Sequence, residues 1–279
     1  MRKLAAALFC LTCLMALKSQ IHAQSYLYAT GNPSFSTQIP IENGFINVNN
    51  GEIHIEIPLA QHPQRGKLQL NERLIYDSRI WKIISNGGYS WQPVNVPNSM
   101  GGWVFSSGLG TNTITHSIDG GQTWCNPGNL IYGYYLSTQY DRWVWADPQG
   151  TSHTFYVSTY QYRAETTPPC SSMPSNVSSA SGYAADGSGY YIKLSNYTTA
   201  VIYDKQGNAY YPMAAGSSPP PNSVLIADAN GNYFSSDASG NLIDSLNRTP
   251  VLVSTSGNHI YYDVLTYGGA RSRYTVTTE

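Results

Sequence analysis

Phe45-Ile-Asn-Val-Asn49, Asn50-Gly51 and Glu52-Ile-His-Ile-Glu-Ile-Pro58 read as two alternating segments joined by an Asn-Gly pair. Asn-Gly in that position predicts a hairpin, because both residues tolerate the positive φ of a two-residue turn. Ile53, Ile55 and Ile57 share one face and Glu52, His54 and Glu56 the other, which is the period of a half-buried strand. The isoleucines are expected to be the covered side and the Glu-His-Glu row the wet side. Carboxylates and an imidazole spaced about 7 Å apart could hold a metal ion, but a solvated face explains the row without one. A hairpin covered on one side needs more sheet to be stable in water.

The flanking sequence supplies that sheet. After a Pro63-Gln-Arg-Gly66 turn come Lys67-Leu-Gln-Leu70 and the run to Tyr76-Asp-Ser-Arg79. Trp81-Lys-Ile-Ile84 and Tyr89-Ser-Trp91 flank Asn86-Gly87-Gly88, and a further turn follows at Pro97–Gly102. Trp103-Val-Phe105, Ile131 to Leu136, Arg142-Trp-Val-Trp145 and Thr154-Phe-Tyr-Val157 continue the pattern. Strand and turn alternate roughly every ten residues, the rhythm of an all-β, antiparallel strand-and-hairpin architecture. Either a sandwich or spiralling sheet layers would satisfy it.

In the second half one turn recurs. Asp204-Lys-Gln-Gly207-Asn208, Asp228-Ala-Asn-Gly231-Asn232 and Asp237-Ala-Ser-Gly240-Asn241 share D-x-x-G-N. Asp244-Ser-Leu-Asn247-Arg248 and Asp147-Pro-Gln-Gly150-Thr151 are variants. The Asp carboxylate can bond to turn backbone, and Gly or Asn at the fourth position accepts the left-handed conformation. The start of a calcium loop is visible at Asp228-Ala-Asn230-Gly-Asn232, but the distal Glu of an EF-hand is missing. Ser117-Ile-Asp119-Gly-Gly121-Gln-Thr123-Trp124 matches the Asp-box pattern of sialidases and other secreted propellers, and it predicts a structural hairpin.

Composition fits this reading. Charged residues are 11% of 279, while Tyr (23) and Gly (25) are abundant, which suits strands and tight turns better than helices. A formal net charge of -1 offers no basic stripe, so nucleic acid is not an expected partner. Arg2-Lys3, the apolar run Leu4 to Leu17 and Ser19-Gln-Ile-His-Ala23 have the three parts of a signal peptide. The run is too short for a stable membrane span. Cys10 and Cys13 lie inside it without a lipoprotein signal, so export leaves Cys125 and Cys170. In an oxidising compartment these suggest one disulfide, the alternative being two free thiols. The expected organisation is a signal peptide (1–23), an N-terminal β module (24–165), a Pro/Ser-rich linker or loop (166–181) and a β-hairpin module (182–279).

Several segments also resemble a known family. Asn49 to Leu59, Pro63-Gln-Arg-Gly66, Leu68-Gln-Leu70 and Tyr76-Asp-Ser-Arg79 are similar to the segment preceding the repeats in secreted RHS (YD-repeat) proteins. Trp145-Ala-Asp147-Pro-Gln-Gly150 with Phe155, Tyr203 to Asn208, and Asp237 to Arg248 resemble the repeat units. The resemblance implies an extracellular or cell-surface scaffold, with partners among downstream shell segments. It also implies that a chain stopping within Arg273 to Glu279 is the N-terminal part of something longer.

No Walker loop, dinucleotide fingerprint, H-E-x-x-H or G-x-S-x-G is present. The leading expectation is therefore a secreted, non-catalytic protein with no cofactor. The alternative is a carbohydrate-binding module for surface or matrix glycans, using exposed rings among Trp91, Trp103, Trp143 and Trp145. A sialidase-like glycoside hydrolase comes third.

Overall fold

The structure, a computed structural model, describes residues 31–32, 37–63, 68–85, 88–93, 102–106, 112–125, 133–167, 170–217, 220, 222–238 and 241–277. The signal-peptide reading, most of the Pro63–Gly66 and Pro97–Gly102 turns, Asn86-Gly87 and Gly240 lie outside the described residues. Within them the fold is all-β, and no helix occurs.

The first sheet runs β1 (Gln38–Ile41), β2 (Gly44–Asn47), β3 (Glu52–Pro63), β4 (Gln69–Asp77), with β7 (Trp103–Ser106) at its far edge. Between β4 and β7, β5 (Trp81–Ser85) and β6 (Tyr89–Pro93) make a separate two-stranded hairpin. The second sheet is built on β8 (Thr113–Cys125) and β9 (Gly133–Ala146), with β10 (Ser152–Phe155) and β11 (Thr159–Ala164) both pairing with β9. The third sheet begins with β12 (Ala180–Tyr183), β13 (Tyr191–Ser195), β14 (Thr199–Tyr203) and β15 (Ala209–Tyr210). Next, β16 (Met213–Ala214) crosses back to join β8 in parallel. The third sheet then resumes with β17 (Val224–Ala227), β18 (Tyr233–Ser236) and β19 (Leu242–Asp244). A final three-stranded sheet comprises β20 (Val251–Ser256), β21 (His259–Leu265) and β22 (Arg271–Thr277).

The opening hairpin forms with a different turn from the one expected. Asn47 pairs with Glu52, so the loop from Val48 to Gly51 is longer than two residues. Gly51, but not Asn50, takes a positive φ (72°), and its N–H donates to Asn47 O at 2.7 Å. The two-residue loop lies one hairpin earlier, where Ile41 faces Gly44 and Asn43 has φ 59°.

The faces of β3 are also reversed from the expectation. Glu52 and His54 are 0% and 1% exposed, whereas Ile53 and Ile57 are each 37% exposed. The polar row faces inward because Phe45, Asn47 and Asp77 on neighbouring strands give it partners. A bulge between Pro58 and Ala60 then shifts the register, so His54 opposes Asp77 while His62 opposes Leu70.

Ser117–Trp124 makes no hairpin, which corrects the Asp-box reading of Asp119 and Gly121 as turn residues. The segment lies inside β8 and pairs with β9 from Ser117 opposite Asp141 to Trp124 opposite Tyr134. The long β9 satisfies the backbone that a turn would have satisfied internally, and the Asp119 carboxylate goes to Arg142 Nη2 at 2.6 Å.

The D-x-x-G segments do turn. In the Asp147, Asp204, Asp228 and Asp244 units Oδ1 accepts the N–H groups two and four residues on, at 2.8–2.9 Å. Gly150, Gly207, Gly231 and Asn247 carry positive φ of 83°, 84°, 80° and 59°. Asp237 Oδ1 accepts the Asn241 N–H in the same way.

The sheets share their cores. Ile114, Trp143, Trp145 and Phe155 pack with Ile192, Leu194, Ala200 and Ile202 between the second and third sheets. Leu68 and Leu70 meet Leu225, Ile226 and Phe234. Val251, Tyr262 and Val264 close on Ala60 and Phe105, with the Phe105 and Tyr262 rings stacked at 4.0 Å. Residues on both sides of 166–181 therefore contribute to each of the three clusters.

Candidate functional site

Trp143 and Trp145 are wholly buried, so they cannot stack on a ligand. Trp145 Nε1 donates to Asn112 Oδ1 at 3.0 Å. Trp103 is half-buried against Tyr76, and Trp91 stands exposed on β6. The structure does not gather the four indoles into a binding face. Their sequence signal was residue type alone, and aromatic rings fill cores at least as readily as they line sites.

A different aromatic face lies on the second sheet. Register places Asp119, Gln139 and Tyr160 in one row across β8, β9 and β11. Gly121, Ser137 and Tyr162 form the next row, followed by Thr123, Tyr135 and Ala164. Rows two residues apart share a face, and the small Gly121 and Ser137 leave a hollow between taller neighbours. The result is an open groove of about 370 Å³, walled by Tyr135, Tyr160, Tyr162 and Pro174. The Tyr160 and Tyr162 rings lie almost parallel, 6° apart with centroids at 6.4 Å. Tyr135 meets Tyr162 edge-on at 6.0 Å.

One wall of the groove is held by a covalent bond. Cys125 ends β8 and bonds to Cys170, with Cα atoms 5.9 Å apart. Gly133 is needed beside it, since a Cβ there would come within 2.6 Å of Thr166 Oγ1 and 3.2 Å of Cys125 Sγ. From Cys170 the chain turns and runs alongside β11. Val177 exchanges two backbone hydrogen bonds with Tyr160, and Asn176 Oδ1 accepts the Tyr162 N–H. Pro174 is thereby set against the tyrosines.

No family model, curated protein or solved structure matches the chain.

The chemistry of the groove therefore rests on its own residues. Asp119 is the single acid among its described lining residues, and Arg142 pairs with it. Flat rings flanked by an amide, hydroxyls and one neutralised carboxylate suit a ligand with apolar C–H faces and many hydroxyl groups. Sequence reasoning singled out Asp119, Gly121 and Thr123 for another reason and missed Tyr135, Gln139, Tyr160 and Tyr162. The alternating Tyr160-Gln-Tyr162 could have drawn attention to the second pair.

A buried polar cluster sits under the first sheet. Glu52 and His54 on β3 meet Asp77 at the end of β4, with one ligand atom from each lying within 4.8 Å of the others. The His54 Nε2 lies 3.1 Å from Glu56 Oε1, and Glu56 also pairs with Arg73. The Phe45 ring stacks on the imidazole at 4.9 Å. Asp77 Oδ2 accepts the Gly31 N–H at 3.1 Å, and Asp77 Oδ1 accepts the Arg79 N–H at 3.0 Å. Burial, reinforced by the facing Asp77, pushes the Glu52 carboxyl up to about 9. Burial opposes the charge of His54, but Asp77 and Glu56 outweigh it and raise the imidazole to about 9.

Asp228 offers no comparable opening. Its Oδ1 accepts from Asn230 and Asn232, and its Oδ2 accepts from the Asn232 side-chain amide at 2.8 Å.

Proposed function

We propose that the chain is a secreted, non-catalytic β-rich surface or scaffold protein that holds glycans in the Tyr135–Tyr160–Tyr162 groove. The groove carries the reading. Parallel phenol rings present π faces to the axial C–H groups of a sugar. The Gln139 amide nitrogen donates to Asp141 and the Ser137 hydroxyl to Gly121 O, so the oxygens of Gln139 and Ser137, with the Thr123 hydroxyl, are placed to accept from sugar hydroxyls. Among the described lining residues Asp119 is the one acid, where glycosidases place two carboxylates across the scissile bond, which supports binding over hydrolysis.

Export is supported by the N-terminal Arg2–Ala23 pattern and by the disulfide, since such bonds persist in oxidising compartments. The likeness to the leader of RHS proteins is supported by the repeated Asp turns, and it would make downstream shell segments additional partners.

A glycan array probed with the purified chain tests the binding reading. The wild type is expected to capture defined glycans, and a Tyr160→Ala/Tyr162→Ala chain of unchanged circular dichroism should lose about tenfold or more in affinity. Equal binding by both chains, or none by the wild type, would reject it.

A further inference from the structure

We propose that Glu52, His54 and Asp77 bind a divalent transition-metal ion, with zinc the best fit. Glu52 Oε1 and His54 Nδ1 are both buried without a hydrogen-bond partner. Such orphaned groups are costly unless something occupies the space between them. The nearest candidate, Asp77 Oδ2, is 3.8 Å from His54 Nδ1, too far for a hydrogen bond. That separation is close to the spacing of two ligands on one ion, about 3.4 Å in a tetrahedral shell with bonds of about 2.1 Å.

The surroundings match a metal site in a second respect. A ligating imidazole usually donates its other ring N–H to a carboxylate, which fixes the tautomer. Here Glu56 takes that position on Nε2, so that with an ion bound the Nδ1 lone pair would face it from the side of Glu52 and Asp77. Two carboxylates and a neutral imidazole balance a 2+ charge. The nitrogen ligand disfavours calcium and magnesium, which prefer all-oxygen shells.

Glu52 and His54 are closed to solvent, while the Asp77 side chain keeps 19% exposure. A fourth, water ligand would enter on the Asp77 side. The closed geometry makes the ion a staple of β3 and β4 rather than a catalyst, and the proposal stands independently of the glycan groove.

The test uses the whole chain, purified without a histidine tag and stripped with EDTA. Zinc is expected to bind one per chain by calorimetry and to raise the melting temperature, and cobalt should give visible d–d absorption. Glu52→Gln, of equal size, should abolish all three responses while the chain still folds. Glu56→Gln should weaken zinc binding about 10–100-fold. The Tyr160→Ala/Tyr162→Ala chain should bind zinc like the wild type. Absence of a response to zinc, cobalt or manganese in the wild type, or an undiminished response in Glu52→Gln, would overturn the proposal.

Discussion

Asp244 and Asp228 make the same turn in different surroundings. The Asp244 carboxylate is buried and accepts from the Leu246 and Arg248 N–H groups and from Arg248 Nε. Losing such a carboxylate leaves several donors unsatisfied, whereas Asp228 lies half-open to water, which can replace it. His153 provides the clearest dependence on pH. Its Nε2 lies 3.3 Å from Asp147 and its Nδ1 2.5 Å from Asp186, beneath the edge of Tyr190. Burial opposes its charge, but the two aspartates prevail and raise it to about 9 from an ordinary 6.5.

A raised histidine contributes stability that is complete below the unfolded value and is lost as pH climbs through the folded one. The His153 contribution should therefore fall by roughly 3 kcal/mol between about pH 6.5 and 9. Asp186 moves the opposite way. Burial works against its ionisation, but His153 and Ser188 hold it down at about 2, so its contribution persists above pH 4 and fades as pH drops toward 2. His54 and Glu52 titrate over part of the same range, so the readout is the difference in urea-unfolding stability between the wild type and His153→Gln. That difference is expected to be greatest below about pH 6.5 and to shrink as pH climbs to 9. A difference that stays constant across that range would show that His153 does not titrate this way.

Among the elements, β3 and β4 were the most misleading from sequence. Alternation correctly marked a strand, but alternation gives two faces without saying which is covered. Inward-facing isoleucines were the natural expectation. What reverses it is non-local: Phe45, Asn47 and Asp77 are brought to the Glu52 side by pairing. Past the bulge, a second polar pair is buried, with His62 Nε2 2.7 Å from Glu72 Oε2. Burial raises the Glu72 carboxyl, and His62 offsets part of that. Glu72→Ala should cost about 3–5 kcal/mol by stranding the imidazole, whereas His62→Leu with Glu72→Leu should cost less than either single change. A double-mutant cycle by urea denaturation reads this directly, and additive losses would count against the coupling. The Asp turns were legible because their bonds span four residues or fewer. The Asp box shows the converse, since a local pattern was overridden by the long partner strand β9.

Over the whole molecule, the all-β class was legible and the packing between sheets was not. The Pro/Ser-rich stretch at 166–181 has a linker's composition, yet Cys170 is buried and Val177 pairs with Tyr160. Composition reports how much a segment can bury, not what its neighbours require of it. Because Trp143 and Phe155 pack with Ile192 and Ile202, chains 24–165 and 182–279 expressed separately should each lack a cooperative thermal transition. Sharp independent transitions in both would mean that each half carries a sufficient core. The disulfide closes a separation of 45 residues, worth about 4 kcal/mol in the chain-entropy picture. Its loss should loosen Pro174 and the tyrosine wall together.

The loop at Asn50-Gly51 also bears on how long the protein lasts. Asn-Gly pairs age chemically when the glycine nitrogen attacks the asparagine side chain and a cyclic imide forms, which later opens to aspartate or isoaspartate. Here the Gly51 N–H is engaged by Asn47 O at 2.7 Å, and Asn50 Oδ1 is held by the Glu52 N–H at 2.9 Å. Both reacting groups are committed elsewhere while the hairpin stands. The folded chain thus shields this Asn-Gly pair, and isoaspartate at position 50 becomes a record of time spent unfolded.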